Sequence, residues 1–329
     1  MISPGGAAGA LRRAAAALMA GELVAFPTET VYGLGGDALQ ASAVDAIYDL
    51  KGRPRNHPVI VHVAADADLA QWASHVPSVA HELIERFWPG PLTLVLERAA
   101  HVPARVAAGA ATIGLRSPRH PVAQALLREF VASGGRGIAA PSANRFGRVS
   151  PTTAQHVVDE FGPGLLVLDG GPCPIGIEST IVDLSRYRTL GAVLLRPGSI
   201  GAADLATVLG TEPRAPDLAA PRASGSLAAH YAPRTPLRLC THEEVQAAAA
   251  GVAVWAFGAK PSGSAATWRV APNDAAQYAT ALYATLRELD ALAAAAIWLE
   301  RPPENAAWTA IHDRLRRAQT GSGGVGTET

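Results

Sequence analysis

Over the first two hundred residues the apolar positions fall in short blocks that switch between a helical and an extended period. From about Gly5 to Ala20 an Ala-rich stretch, with Leu11, Leu18 and Met19 as its larger apolar positions, predicts a helix stopped at Gly21. Leu23–Phe26 follows as a short buried strand ended by Pro27, and Ala41–Leu50 reads as helix. Val59–Val63 is β-branched and strand-like. The same reading gives helices at Val79–Phe87, Val122–Ala132 and Thr152–Phe161. It gives strands at Leu92–Leu96, Thr112–Leu115, Gly137–Ala140, Leu165–Leu168, Thr180–Asp183 and Val193–Leu195. Strands mixed with helices mean an α/β domain, and the closely spaced strands after residue 165 argue against an all-parallel sheet.

The text changes at Thr211. Glu212–Pro216, Ala220–Arg222 and Ser224–Ser226 are rich in Pro, Gly and Ser and read as a linker. A second set of signals follows: strands at Leu237–Leu239, Val252–Phe257 and Ala296–Leu299, an amphipathic helix at Ala275–Leu289 and a last helix near Asn305–Ala318. The expected organisation is a domain over 1–210, a linker over 211–235, a small Rossmann-like α/β domain over 236–320 and a disordered tail over 321–329.

Lys+Arg and Asp+Glu both count 28, so the formal net charge is zero. Binding of nucleic acid through its phosphates usually brings a basic excess, and the 5% aromatic content offers few platforms for stacking bases. No stable nucleic-acid binding is therefore expected; RNA binding on a local basic surface is the competing reading. Cys173 and Cys240 are too few and too far apart for a disulfide framework or a standard cysteine zinc site. No apolar stretch is long enough to cross a membrane, and no signal-peptide pattern opens the chain, so a cytoplasmic location is expected. Among the 28 basic residues only Lys51 and Lys260 are lysine. A GC-rich genome explains that bias, but it singles out each remaining ammonium, whose chemistry differs from that of a guanidinium.

Polar clusters interrupt the apolar strands at their ends, where α/β sheets bind ligands. Pro27–Gly35 sets two threonine hydroxyls, a carboxylate and two glycines directly after a strand, either as a ligand-approaching loop or as a plain strand-to-helix turn. Lys51, Arg53, Arg55, His57 and His62 put three cations and two imidazoles within a dozen residues, which suits a triphosphate. Arg55 reads better as a solvated turn residue, and His62 is equally a core histidine or a ligand. Thr112 and Arg116, four apart, share one strand face. Ala140, Ser142 and Asn144, then Gly176–Thr180, Leu195–Gly198 and His230–Pro233, complete the clusters. There is no P-loop and no Gly-x-Gly-x-x-Gly in a strand–turn–helix setting. Physical reading alone reaches an α/β enzyme with an anion pocket.

In combination the clusters resemble the YrdC-like family of threonylcarbamoyl-AMP synthases in its long, two-domain form. The resemblance is carried by Phe26–Gly35, by Lys51-x-Arg53 with Ser142-x-Asn144, by Trp88–Thr93, by Gly176–Thr180 and by Leu194–Gly198, and it runs from about residue 10 to 210. It implies an open, twisted mixed sheet around a concave basic pocket. It also implies a nucleotidyltransferase that condenses L-threonine, bicarbonate or CO2, and ATP to threonylcarbamoyl-AMP and pyrophosphate. The product would be handed to the machinery that forms threonylcarbamoyladenosine in tRNA beside the anticodon. By resemblance, Thr30, His62, Arg116, Ala140 and Ser179 contact L-threonine. Arg53, His57, Thr112, Ser142, Arg196 and Tyr231 contact ATP, and Lys51, Arg53, Ser142 and Asn144 form the catalytic tetrad. His57 stands where the family pattern usually shows Asn. Mg2+ is expected on the ATP phosphates, with no metal ligands from the chain. The linker is expected to fold over the pocket and bring Tyr231 to ATP.

Overall fold

The short strand β1 (Ile2–Pro4) leads into helix α1 (Ala8–Met19), which stops where Gly21 takes φ 81°. Strand β2 (Val24–Phe26) turns back through β3 (Gly33–Asp37) into helix α2 (Ala41–Lys51). The glycine-rich half of the Pro27–Gly35 cluster is thus strand and not loop. Its strand character was hidden because glycine has no β-propensity of its own. The position nevertheless demands it: a Cβ on Gly35 would lie 2.8 Å from both Ile138 and Phe26. Next come β4 (Ile60–His62), β5 (Ala73–His75), α3 (Ser78–Phe87), β6 (Leu92–Arg98), β7 (Thr112–Arg116), α4 (Pro121–Ala132) and β8 (Ile138–Ala139). The run closes with α5 (Ala154–Phe161), β9 (Leu166–Asp169), β10 (Thr180–Asp183), α6 (Tyr187–Leu190), β11 (Val193–Arg196) and α7 (Ala202–Leu209).

This computed structural model describes residues 1–225 and 227–323, so the expected tail lies outside the described residues from 324 onward. The chain divides into two units, Met1–Arg145 with Pro151–Ser226, and Phe146–Ser150 with Leu227–Thr329. In the first, the strands form one mixed sheet in the order β1-β9-β2-β3-β8-β4-β7-β6-β10-β11, with β5 on β6. Side-chain alternation divides its core in two. One face carries Ala25, Leu34, Val61, Leu94, Leu115 and Val182 and is covered by α2, α3, α5 and α7. On the other face α1 and α4 pack over Val24, Phe26, Ile138 and Leu168. From β4 toward β11 that second face bears Ile60, Val95, Ile181, Val193 and Leu195, against which lie Ala220 and Ala223. The stretch before them is anchored to β11: Arg214 N donates to Ala192 O and Leu194 N to Arg214 O, both at 2.9 Å. Residues 214–224 therefore run back across the sheet face that the helices leave open.

The second unit has a parallel sheet in the order β12-β15-β13-β14. Its elements are β12 (Leu237–Cys240), α8 (His242–Gln246), β13 (Val252–Ala256), β14 (Thr267–Val270), α9 (Ala275–Ala291), β15 (Ala296–Glu300) and α10 (Thr309–Gly321). Helix α8 packs with Cys240, Val254 and Ala256. On the opposite face α9 stacks Tyr278 on Trp255, with ring centroids 4.1 Å apart. No helix among the described residues is long and apolar enough to cross a membrane.

Candidate active site

The open half of the first sheet gathers the polar clusters. Lys51, the last residue of α2, is followed by Gly52 in the left-handed conformation (φ 62°), which turns the chain out of the helix and frees Arg53 to point elsewhere. Lys51 is 3% exposed. Its Nζ donates to Ser142 O at 2.6 Å and to Asn144 O, joining two sequence clusters separated by more than ninety positions. The loop that carries these carbonyls extends the β3 ladder, with Leu34 N donating to Pro141 O and Ala143 N to Tyr32 O, each at 2.8 Å. Burial holds the Lys51 ammonium well below the ordinary lysine range; Arg53 pushes it further down and Glu160 opposes. Asn144 is buried and donates from Nδ2 to Arg145 O at 2.7 Å, while Ser142 is half-buried.

Arg53 and Arg196 both reach Ser224. Arg53 donates from Nε to His57 O (3.2 Å) and from Nη2 to Pro58 O (2.9 Å) and Ser224 Oγ (3.2 Å). Arg196, at the end of β11, donates from Nε to Ser179 O and from Nη2 to Ser179 Oγ, both at 3.0 Å, and from Nη1 to Ser224 O at 2.8 Å. Ser179 Oγ is also 2.8 Å from Thr93 Oγ1. His57 is held below its ordinary value by partial burial, then by Arg53 and Arg222, so it is neutral at pH 7.

A second group of buried polar side chains lies on β4, β7 and the Pro27–Val31 loop. His62 on β4 and Arg116 on β7 are register partners in a parallel pair. Arg116 Nη2 meets Glu29 Oε1 at 2.7 Å, with both side chains almost wholly buried, and its Nε donates to Gly90 O at 3.2 Å. Glu29 Oε2 accepts from Arg119 N at 2.9 Å. Thr30 is fully buried, its Oγ1 2.8 Å from Thr28 Oγ1, and Ala140 N donates to Ile60 O at 2.9 Å. Thr112 starts the strand that ends in Arg116 and is half-buried on the same face. Of the residues that the resemblance assigns to threonine, ATP or catalysis, Tyr231 alone belongs to the second unit. There it has φ 61° and is 1% exposed, stacked 5.6 Å from Tyr283 with the Arg314 guanidinium 5.3 Å above its ring.

His62 is buried edge-on to Phe26, and its Nδ1 has no partner among the described residues. Burial, then Arg116, lower its pKa from 6.5 to about 3. The native state thus keeps the imidazole neutral while the unfolded chain takes up a proton below 6.5. This contribution to stability is complete above pH 6.5 and is lost as pH falls toward 3, at about 1.4 kcal/mol per pH unit. Urea unfolding is expected to show ~2 kcal/mol of His62-dependent loss between pH 6.5 and 5. The variant His62→Gln should lack that increment; an identical pH dependence in the variant would contradict it.

Residues 16–198 match the profile of a family described as telomere recombination, which groups the Sua5, YciO and YrdC proteins. Residues 200–320 match the threonylcarbamoyl-AMP synthase C-terminal domain. The Bacillus subtilis threonylcarbamoyl-AMP synthase is 38% identical over 329 aligned residues, covering 94% of this chain and 93% of that protein. The chain belongs to the threonylcarbamoyl-AMP synthase family. The Pyrococcus abyssi synthase is 45% identical over 201 residues, a match that spans 61% of this chain and 57% of that protein. The crystal structure of P. abyssi Sua5 complexed with L-threonine superposes with a TM-score of 0.83 at 34% identity, covering 95% of this chain and 94% of that one. The synthase family's fold, a mixed sheet with a separate parallel-sheet domain, is the fold found here.

Three residues of this synthase-family site were not picked out from the sequence. Glu29 sits in the Thr-Glu-Thr run but was counted only as a carboxylate among hydroxyls; its ion pair with Arg116, 87 positions away, is a tertiary fact. Thr93 lies in the Trp88–Thr93 motif and supports Ser179. Ser224 lies in the segment read as linker, and no local signal announces that it joins Arg53 to Arg196.

Proposed function

We infer that the first unit is an L-threonylcarbamoyladenylate synthase, a nucleotidyltransferase acting on ATP, L-threonine and bicarbonate or CO2. The observation that carries this reading is the meeting of Arg53 and Arg196 at Ser224, with Lys51 close enough to Arg53 to feel its charge and the buried His62 and Arg116 side by side on β4 and β7. The buried Arg116 guanidinium beside the His62 ring suits the carboxylate of an amino acid. Thr30, His62, Ala140 and Ser179 surround the ligand, and Arg116 meets its carboxylate. With Nε given to Gly90 O and one Nη2 hydrogen to Glu29, Arg116 keeps its Nη1 donors for the carboxylate. The amine then attacks CO2 derived from bicarbonate, forming an N–C bond and releasing a proton, to give N-carboxy-threonine. A carbamate oxygen attacks the α-phosphorus as the bond to the β-phosphate breaks and pyrophosphate leaves.

Charge develops on phosphate oxygens in that step, and preorganised cations stabilise it. Arg53 and Arg196 bind the phosphates with Thr112, Ser142 and the neutral His57. Lys51 spends two donors on Ser142 O and Asn144 O, which leaves one for the reacting carbamate or phosphate. Mg2+ would arrive on the ATP phosphates and neutralise part of their charge. The lining of arginines, hydroxyls and amide fits that mode of binding, since these residues hold phosphate and not metal.

Arg53 and Arg196 both contact Ser224, so residues 214–224 act as a cover that a triphosphate engages together with the two guanidiniums. Such a cover would keep water from the mixed anhydride. Tyr231 is assigned to ATP on the family resemblance. Ending the chain after Gly210 is expected to weaken ATP affinity roughly tenfold, about 1.4 kcal/mol; unchanged affinity would make the segment a mere tether. The product is the activated donor for tRNA threonylcarbamoylation by separate transferase proteins in the cytoplasm. Incubating the chain with labelled bicarbonate, threonine and Mg-ATP should yield a labelled threonine–AMP adduct; label found in no nucleotide species would overturn the assignment.

A further inference from the structure

The second unit holds a cleft of ≈ 660 Å³ that the synthase chemistry does not use. It lies at the carboxyl end of β12 and β15, against α10. In open parallel sheets that end is where ligands bind, above all where neighbouring strands send the chain to opposite faces. Here β12 leads into α8, which packs with Cys240 and Val254, while β15 leads through Trp308 to the face where Trp308 meets Tyr278 of α9. The walls are fixed by the backbone. Arg301 N donates to Cys240 O at 2.9 Å, so Arg301 stands one residue past the ladder. Gln319 Oε1 accepts from Leu239 N at 2.8 Å and Ser322 Oγ from Leu237 N at 2.9 Å, which ties α10 along the edge of β12.

That tie turns one face of α10 into a wall. Thr309, His312 and Arg316, at spacings of three and four, line it together with Gln319. His312 Nε2 lies 3.0 Å from Pro303 O, joining this wall to the loop that carries Arg301. Arg238, Arg269, Arg314 and Arg317 each meet a carboxylate. Arg301 and Arg316 have no ion-pair partner among the described residues, and the one carboxylate in the lining, Glu304, pairs with neither.

We propose that this cleft binds a phosphate-bearing small molecule of up to nucleotide size. A carboxylate has two oxygens and is satisfied by one guanidinium fork. A terminal phosphate presents three, enough for two arginines together with the amide and hydroxyl donors of α10. The volume falls within the range of small-molecule pockets. The same chemistry comes from inorganic phosphates or from nucleotides, and two probes separate them.

The test is equilibrium dialysis of the full chain against pyrophosphate and against AMP, with the double variant Arg301→Ala, Arg316→Ala alongside. Both arginines are exposed, so the variant should keep the wild-type melting temperature and threonine-dependent pyrophosphate release. One class of binding site should weaken at least tenfold, and the variant with both arginines changed to lysine should fall between. Loss for both probes supports recognition of the phosphate group, loss for AMP alone a nucleotide, and loss for pyrophosphate alone an inorganic anion. Identical binding of both probes by wild type and double variant would overturn the proposal. A Lys51 variant removes only the other class of site, so failure of the synthase reading would be seen separately.

Discussion

Replacing Lys51 by arginine is expected to lower threonine-dependent pyrophosphate release at least about a hundredfold, although the charge is conserved. Lys51 is 3% exposed and its ammonium clamps two carbonyls of the loop that carries Ser142 and Asn144. A planar guanidinium is larger, directs its donors in a fixed fork and cannot lose a proton, so it reproduces neither the clamp nor the third donor. Burial has already drawn Lys51 well below the ordinary lysine range. Steady-state release with saturating Mg-ATP, threonine and bicarbonate measures this directly. The companion Lys51→Met keeps the apolar stem and should fold but be inactive. Near-normal turnover of the arginine variant would contradict the role given to Nζ.

Glu29→Gln is expected to cost about 3 kcal/mol of stability, because it leaves the Arg116 charge in a pocket where both side chains are nearly water-free. For a unit of this size that corresponds to a fall in melting temperature of roughly 6–12 °C. Threonine affinity should fall as well, since Glu29 fixes the Arg116 Nη2 and Arg119 N groups and thereby the direction of Nη1. Removing both charges, as Glu29→Leu with Arg116→Met, should recover part of the lost stability while threonine binding stays abolished. A double variant less stable than Glu29→Gln would show that the pair stabilises the fold on its own account. Calorimetric melting with and without threonine separates the two effects.

Most of the helices and central strands could be read from the sequence because each carries its own apolar period. Ala41–Lys51 and Pro121–Ala132 are examples, and their ends follow local signals such as Gly52 beyond α2 and Pro121 opening α4. Two of the elements that escaped have no such period. The strand Gly33–Asp37 is built of glycines whose reason is the closeness of Ile138 and Phe26, a contact invisible in one dimension. Strand Thr267–Val270 lies at a sheet edge and is mostly exposed, so no apolar alternation marks it. The chemistry followed the same division. Residue types and their clustering pointed to an anion pocket, and the family resemblance supplied roles. Partners such as Glu29 for Arg116, or Ser224 for Arg53 and Arg196, depend on which strands become neighbours. No spacing rule reaches across those distances.

The central claim is that this chain couples ATP cleavage to threonine and bicarbonate at one site. The most direct measurement is pyrophosphate release by the purified protein with Mg-ATP, leaving out threonine and bicarbonate in turn. Release that requires both, and that disappears in Lys51→Met, is the result expected. ATP left intact under every condition, or cleaved equally well without threonine, would contradict the claim.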